Sequence, residues 1–203
     1  MVRPRTDIQP RILHAARARF LLDGVDGASL RAIARDAGTS IGMIYYYFPS
    51  KDDLFLGVVE EVYGAVMADL EQALVQDRNF RARVHALYDR IARLTAVESD
   101  VFRLIVREAL VSSERLARLV VRFKQGHIAL LLRVVAEGRA EGVLASDVPL
   151  PLMVIATGVL GAAPQVLLRV LGANSPFGAV APAGDALVEL LLRVLLGGIG
   201  AKE

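Results

Sequence analysis

The sequence predicts an all-α protein built from a small N-terminal three-helix domain and a larger helical domain behind it. Three observations support this. Strand-like alternation is nearly absent, while apolar residues recur at three- and four-residue spacing along almost the whole chain. Ser, Gly and Pro punctuate the first fifty residues at intervals that fit three short helices. Charge is uneven: residues 1–51 carry eight Lys and Arg against four Asp, net +4, whereas residues 52–203 carry sixteen against eighteen, net −2. The domains are accordingly placed at 1–51, regular from about residue 7, and at 52–203.

The first helix takes its core stripe from Ile12, Leu13, Ala16 and Phe20, with Arg11, Arg17 and Arg19 on other faces. Thr6 with Gln9 has the form of a capping box. Pro10 fits best at a first helical position, so the regular helix is expected to begin there, with residues 1–9 as an arm. Gly24 and Gly27 end it. Ser29 caps a second helix over Leu30–Ala37, with Leu30, Ile33, Ala34 and Ala37 inward. Gly38 supplies a positive-φ turn residue, Ser40 caps a third helix over Ile41–Phe48, and Pro49 ends it. Ser50 with Asp53 then caps a long fourth helix whose stripe runs Leu54, Val58, Val62, Met67, Leu70 and Leu74. Further helices are expected at Asn79–Val97, Asp100–Val111, Ser113–Glu141, Pro149–Leu171 and Ala183–Gly197, with Gly172–Pro182 a loop dense in breakers.

Two short helices joined by a glycine turn, the second presenting polar and aromatic groups, form a helix-turn-helix. Its second helix enters the DNA major groove while the first braces it. Ala34, Ala37 and Gly38 are small enough for the pair to pack closely, and Gly42 keeps the front of the reading helix lean. The spaced set Ile12-Leu13, Ala15-Ala16, Phe20, Gly24, Ser29, Ile33-Ala34, Ala37-Gly38, Ser40, Gly42, Tyr45, Phe48, Ser50-Lys51 and Leu54 resembles the DNA-binding domain of the TetR family of regulators. Thr39 stands where that family usually has valine. The resemblance covers about the first quarter of the chain. It implies an all-helical homodimer that binds double-stranded operator DNA and carries a second, ligand-sensing domain.

The resemblance also implies that Lys51 anchors a phosphate. On the residues alone, Tyr46 and Tyr47 suit a groove helix, where rings meet sugars and methyl groups and hydroxyls bond phosphate. Tyr46 is expected to be the more exposed, and Tyr45, which shares a face with Ile41 and Phe48, to be structural. Arg31 is placed for bidentate guanine readout, with a phosphate contact or a solvated charge as the alternatives. Ser29, Thr39, Ser40, Gly42 and Met43 complete the expected DNA-facing set, and Arg3 and Arg5 are placed for an adjacent minor groove.

Farther along, Leu116, Val120, Phe123, His127, Leu130 and Val134 follow alternating four- and three-residue steps, an apolar seam interrupted only by His127. Either His127 is a satisfied core residue, or it lines a cavity for a small apolar or aromatic effector with Tyr88, Phe102, Phe123, Met67 and Gln165. Val154, Leu160, Val166, Leu167, Leu187, Leu190, Leu191 and Leu195 make the last two helices too apolar to face water. They are expected to form a dimer interface, which supplies the two-fold symmetry a palindromic operator requires. The expected function is a repressor released when an effector changes the spacing of the reading heads. A regulator controlled by a protein partner, or constitutive, and a purely structural helical oligomer are the alternatives.

Other classes lack their residues. His14, His85 and His127 are scattered, with no pair at metal-ligand spacing, and no phosphate-binding glycine loop, nucleophile elbow or dinucleotide fingerprint occurs. No enzyme activity, metal or cofactor is expected. The chain has no cysteine, and no apolar run follows its first arginines, so a cytoplasmic location is expected. Leu150–Leu168 is uncharged over about the length of a bilayer span, but prolines, glycines and the absence of interfacial anchors favour a buried interface over a membrane.

Overall fold

The computed structural model describes residues 8–74, 79–172, 176, 182 and 184–199, and among them the chain forms ten α-helices. They are α1 (Ile8–Gly27), α2 (Leu30–Asp36), α3 (Ile41–Tyr47), α4 (Lys51–Ala73), α5 (Phe80–Ala92), α6 (Ala96–Val111), α7 (Ser113–Lys124), α8 (His127–Ala140), α9 (Leu150–Leu171) and α10 (Asp185–Ile199). The helices sort into two units. One comprises the chain up to Val66 with Thr95–Val121; the other comprises Met67–Leu94 and the chain from Arg122 onward.

In the first unit α1 packs on α2 and α6, and α2 packs on α3. The core is the expected stripe of Ile12, Leu13, Ala16 and Phe20, joined by Ile33, Ile44, Leu54, Phe55 and Val58. Phe20 and Phe55 meet edge to face, with ring centroids 6.5 Å apart. α1 departs from expectation at its start, since the described helix already runs from Ile8. Pro10 is tolerated there because the first-turn N–H groups have no intrahelical partner to lose. Thr6, Arg3 and Arg5 lie outside the described residues, as does most of the Gly172–Pro182 segment.

Two boundaries drawn from periodicity are corrected, one by a capping box and the other by a glycine break. The helix expected over Asn79–Val97 ends at Ala92, and α6 starts at Ala96. Thr95 causes the break: its side chain accepts from the Glu98 N–H at 3.2 Å while Glu98 accepts from the Thr95 N–H at 2.7 Å, a complete capping box. The single helix expected over Ser113–Glu141 is two, α7 and α8. Its backbone closes in i to i+3 bonds from Gln125 and Gly126 N–H, then leaves helical geometry at Gly126 (φ −114, ψ −121).

The second unit packs α5, α8, α9 and α10 together. Its centre is Tyr88, which is fully buried and donates its hydroxyl to the Thr157 carbonyl at 3.0 Å. The ring lies flat enough on α9 that a Cβ at Gly161 would collide with it. Gln165 completes the layer, its amide N–H donating to the Tyr88 carbonyl at 3.0 Å and to the Gly161 carbonyl at 2.6 Å. Arg83, also buried, reaches from α5 to Glu137 and Glu141 at the end of α8. Burial raises the Tyr88 phenol well above its ordinary pKa, so it remains a neutral donor. Tyr88→Ala is expected to cost about 3–5 kcal/mol of unfolding free energy, measured by denaturant titration. A cost below about 1 kcal/mol would show that this layer is not the core of the unit.

Candidate nucleic-acid interface

Local chemistry builds α2 and α3 within one residue of their expected bounds. Ser29 accepts from the Ala32 N–H at 3.4 Å, and Ser40 accepts from the Met43 N–H at 3.3 Å. Between them, Gly38 N–H donates to Arg35 O at 3.0 Å and Thr39 N–H to Ala34 O at 2.9 Å. That pair of bonds is a Schellman motif, and it requires Gly38 at positive φ (+63), where a side chain would be strained. The turn thereby fixes the angle between the two helices. α4 opens at the expected cap: Ser50 accepts from the Asp53 N–H at 3.0 Å and donates to its carboxylate at 2.6 Å.

α3 is seven residues long and buries one side chain, Ile44. Tyr46 is 76% exposed and its ring stands edge-on to Tyr47, which is half-buried. Tyr45 differs from expectation. It is 50% exposed, because a two-turn helix anchored through Ile44 and Phe48 leaves the Ile41–Tyr45 side facing water. The outer face of α3 therefore carries Tyr45 and Tyr46 with Gly42, beside exposed Arg31, Ser29 and Ser40 and half-buried Thr39 and Met43. Lys51, at the start of α4, donates from Nζ to the Asp26 carbonyl at 2.8 Å. A lysine ammonium has three donors, so this bond orients Lys51 without exhausting it.

Behind this face lies a set of ionic contacts that sequence reasoning did not single out. Gly24 (φ 75, ψ 168) interrupts α1 and leaves the polar groups of a helix end inside the unit. α6 satisfies both kinds. Arg107 donates to the Phe20 carbonyl and, at 3.1 Å, to the Leu21 carbonyl, while Glu108 accepts the Val25 N–H at 3.2 Å. The other Glu108 oxygen accepts from Arg115 Nη1 at 2.7 Å. Arg115 also donates from Nε to Asp52 at 2.8 Å and grips the Asp26 carboxylate with both terminal nitrogens. Arg118 pairs with Asp53. Hydrogen bonding from Arg115 holds the Asp26 carboxyl below its usual pKa, and the Ser50 hydroxyl, then Arg118, does the same for Asp53. The available sequence signal was a glutamate, Glu108, on the buried stripe of Val101 and Leu104.

Residues 12–58 match the family model for bacterial regulatory proteins of the tetR family. A transcriptional repressor of Streptomyces coelicolor is 29% identical over 142 residues, spanning 70% of this chain and 69% of that protein. The repressor NicS of Pseudomonas putida is 30% identical over 148 residues, spanning 68% and 66%. The chain belongs to the TetR family. As a TetR-family protein it is a DNA-binding transcriptional regulator. Its matched segment spans about two thirds of either curated relative. The fold is shared with FadR of Bacillus subtilis, solved in complex with stearoyl-CoA, at 18% identity and a TM-score of 0.74 over 94% of this chain and 98% of that one.

The remaining residues singled out in this TetR-family chain are placed as follows. Phe102 belongs to the first unit, while Tyr88, Phe123, His127, Met67 and Gln165 belong to the second. Tyr88 and Gln165 spend their polar atoms on backbone carbonyls. Phe123 and His127 meet with ring centroids 4.8 Å apart, across the α7–α8 break. Of the apolar residues in α9 and α10, Val154, Leu191 and Leu195 are buried inside the unit, a correction to their expected outward position. Leu160, Val166 and Leu187 are half-buried, and Leu167 and Leu190 are exposed. The outward face also carries Leu152, Ile155, Val159 and Val194.

Lys51→Ala is expected to weaken binding to all duplexes about equally and to lower the salt slope by about one, whereas Arg31→Ala relaxes preference at particular bases. Unchanged affinity in Lys51→Ala would remove its anchoring role. Burial, reinforced by Arg122, lowers the His127 pKa. The unfolded chain then binds a proton below about pH 6.5 that the folded one refuses, so the stability contributed by neutral His127 is full above that pH and is lost as pH falls. His127→Phe should flatten that part of the pH–stability curve, and an equally steep curve would contradict the assignment.

Proposed function

We propose that the protein is a homodimeric repressor that holds a palindromic operator through α3 and the start of α4, and that a small lipophilic effector releases it. The observation that supports dimerisation is the apolar outer face shared by α9 and α10. Leu152, Ile155, Val159, Leu160 and Val194 line an open trough of about 420 Å³ on it, with the buried Leu195 at its floor. Val159 alone is 57% exposed. A contiguous apolar surface of this kind is unstable against water, and an isologous pairing of two copies covers it on both. α9 is also long and apolar enough to cross a bilayer by length and composition. Its other side is committed to the unit, with Met153, Thr157, Gly161 and Gln165 packed toward Tyr88 and the core.

Pairing serves DNA binding because two reading helices held at a fixed spacing engage successive major grooves. The lipophilic effector is suggested by the apolar make-up of the second unit and by the acyl-CoA ligand in the FadR structure. In the conformation described, Tyr88 and Gln165 are closed into backbone bonds. An effector therefore has to draw on the Phe123–His127 side or displace these bonds, which suits release by population shift.

The test uses a duplex selected by the unmodified protein from a random-sequence pool. The protein is expected to sediment as a dimer, and Val159→Glu as a monomer whose affinity for that duplex falls by on the order of a hundredfold. A dimeric, fully binding Val159→Glu would show that another surface pairs the subunits. Fatty acyl-CoA and steroid probes should both raise the melting temperature and release the duplex. Stabilisation without release, or neither, would favour control by a protein partner or none.

A further inference from the structure

Behind the helix-turn-helix, one side chain ties several segments of the first unit together. Arg115, 6% exposed, sits at the start of α7 and makes ionic contacts to three separate segments of the first unit. It meets Glu108 on α6, Asp52 in the first turn of α4, and Asp26 on the short turn of chain between the Gly24 break and α2. Asp26 is the pivot. Its carboxylate is clasped by Arg115 while its carbonyl receives the Lys51 ammonium at 2.8 Å. Asp52 is the immediate neighbour of Lys51, so Arg115 constrains that lysine from both sides, through the residue that accepts its hydrogen bond and through the residue next in sequence. Arg118, one turn later on α7, takes Asp53 and extends the hold to the Ser50 cap of α4.

We infer that Arg115 is a positioning residue for DNA binding: it sets Asp26 and Asp52, and through them Lys51 and the first turn of α4, in the arrangement in which α3 meets the duplex. This rests on the placement of the DNA face at α3 and Lys51. Arg115 itself does not reach that face, because its donors are consumed by Glu108, Asp52 and Asp26. A guanidinium suits this task, since its planar fork serves several carboxylates at once, which a lysine ammonium on a flexible stem does less well.

Charge alone and positioning predict opposite outcomes for the carboxylates. Asp26 and Asp52 lie beside a surface meant for phosphate, so removing them should tighten DNA binding if charge were their only effect. If they hold Lys51 and α4 in place, removing them weakens it.

The experiment measures affinity for the selected duplex and for a scrambled duplex across a salt series, on dimeric full-length protein checked for helicity. Arg115→Ala is expected to lose about tenfold or more for the selected duplex, and its salt slope to fall by about one through Lys51, although Arg115 touches no phosphate. Adding Lys51→Ala to it should change affinity less than twofold, because the two act on one contact. Arg115→Lys should restore part of the loss. Full multiplicative loss in the double variant, or unchanged affinity in Arg115→Ala, overturns the proposal. Should Arg115→Ala fail to fold, Asp26→Ala with Asp52→Ala leaves Glu108–Arg115 intact: weaker binding supports positioning, and equal or tighter binding overturns it. Absence of any salt-dependent duplex binding by the unmodified protein would instead overturn the DNA face itself, and this role with it.

Discussion

Glu108 and Arg115 are taken out of water together, with side chains only 3% and 7% exposed, and most of the first unit is arranged to make that tolerable. Desolvating a carboxylate and a guanidinium costs several kcal/mol each, and mutual attraction repays this only when the remaining donors and acceptors are also satisfied. Here they are. Glu108 accepts the Val25 N–H and Arg107 on one oxygen and Arg115 on the other, and Arg115 spends its remaining donors on Asp26 and Asp52. Gly24 makes the arrangement possible, because the break in α1 is what frees the Val25 N–H and brings Asp26 into reach. The pair thus links α1, α4, α6 and α7 at one point. Removing either partner would leave a buried, unpaired charge, which typically costs about 3–5 kcal/mol.

The second unit is packed around apolar side chains, with the buried Arg83 held by Glu137 and Glu141. Phe80, Val84, Leu87 and Tyr88 give α5 a continuous buried face, and the small residue Gly161 lets the Tyr88 ring press directly on α9. Thr157 and Gln165 are the buried polar groups of α9; both hydrogen-bond to backbone carbonyls, so the apolar interior carries no unmet demand from them. The same helix turns Leu152, Ile155 and Val159 outward. One face of α9 therefore completes the unit, and the other is the apolar surface proposed to pair with a second copy of the chain.

The helix-turn-helix was legible because its determinants are local. Ser29, Gly38, Ser40 and Ser50 each act within three or four residues, so reading them in order placed α2 and α3 to within a residue. The α7–α8 break was missed because the apolar steps through Phe123, His127 and Leu130 continue unbroken across Gly126, and periodicity outweighed one glycine. The inward face of α9 and α10 was not legible for a different reason. With leucine and valine all round, there is no contrast to say that Leu191 and Leu195 turn in while Leu190 and Val194 turn out. Arg115 with Asp26 and Asp52 was beyond reach altogether, since partners separated by 63 and 89 positions meet only once the chain has folded.

Two copies of α3, held at fixed spacing, are proposed to read one duplex. Hydroxyl-radical footprinting of the unmodified protein on its selected duplex tests it most directly. Two equivalent patches of protection are expected, related by a two-fold axis, their centres about one helical turn apart or a multiple of it. A single asymmetric patch, or uniform protection without a centre of symmetry, would contradict it.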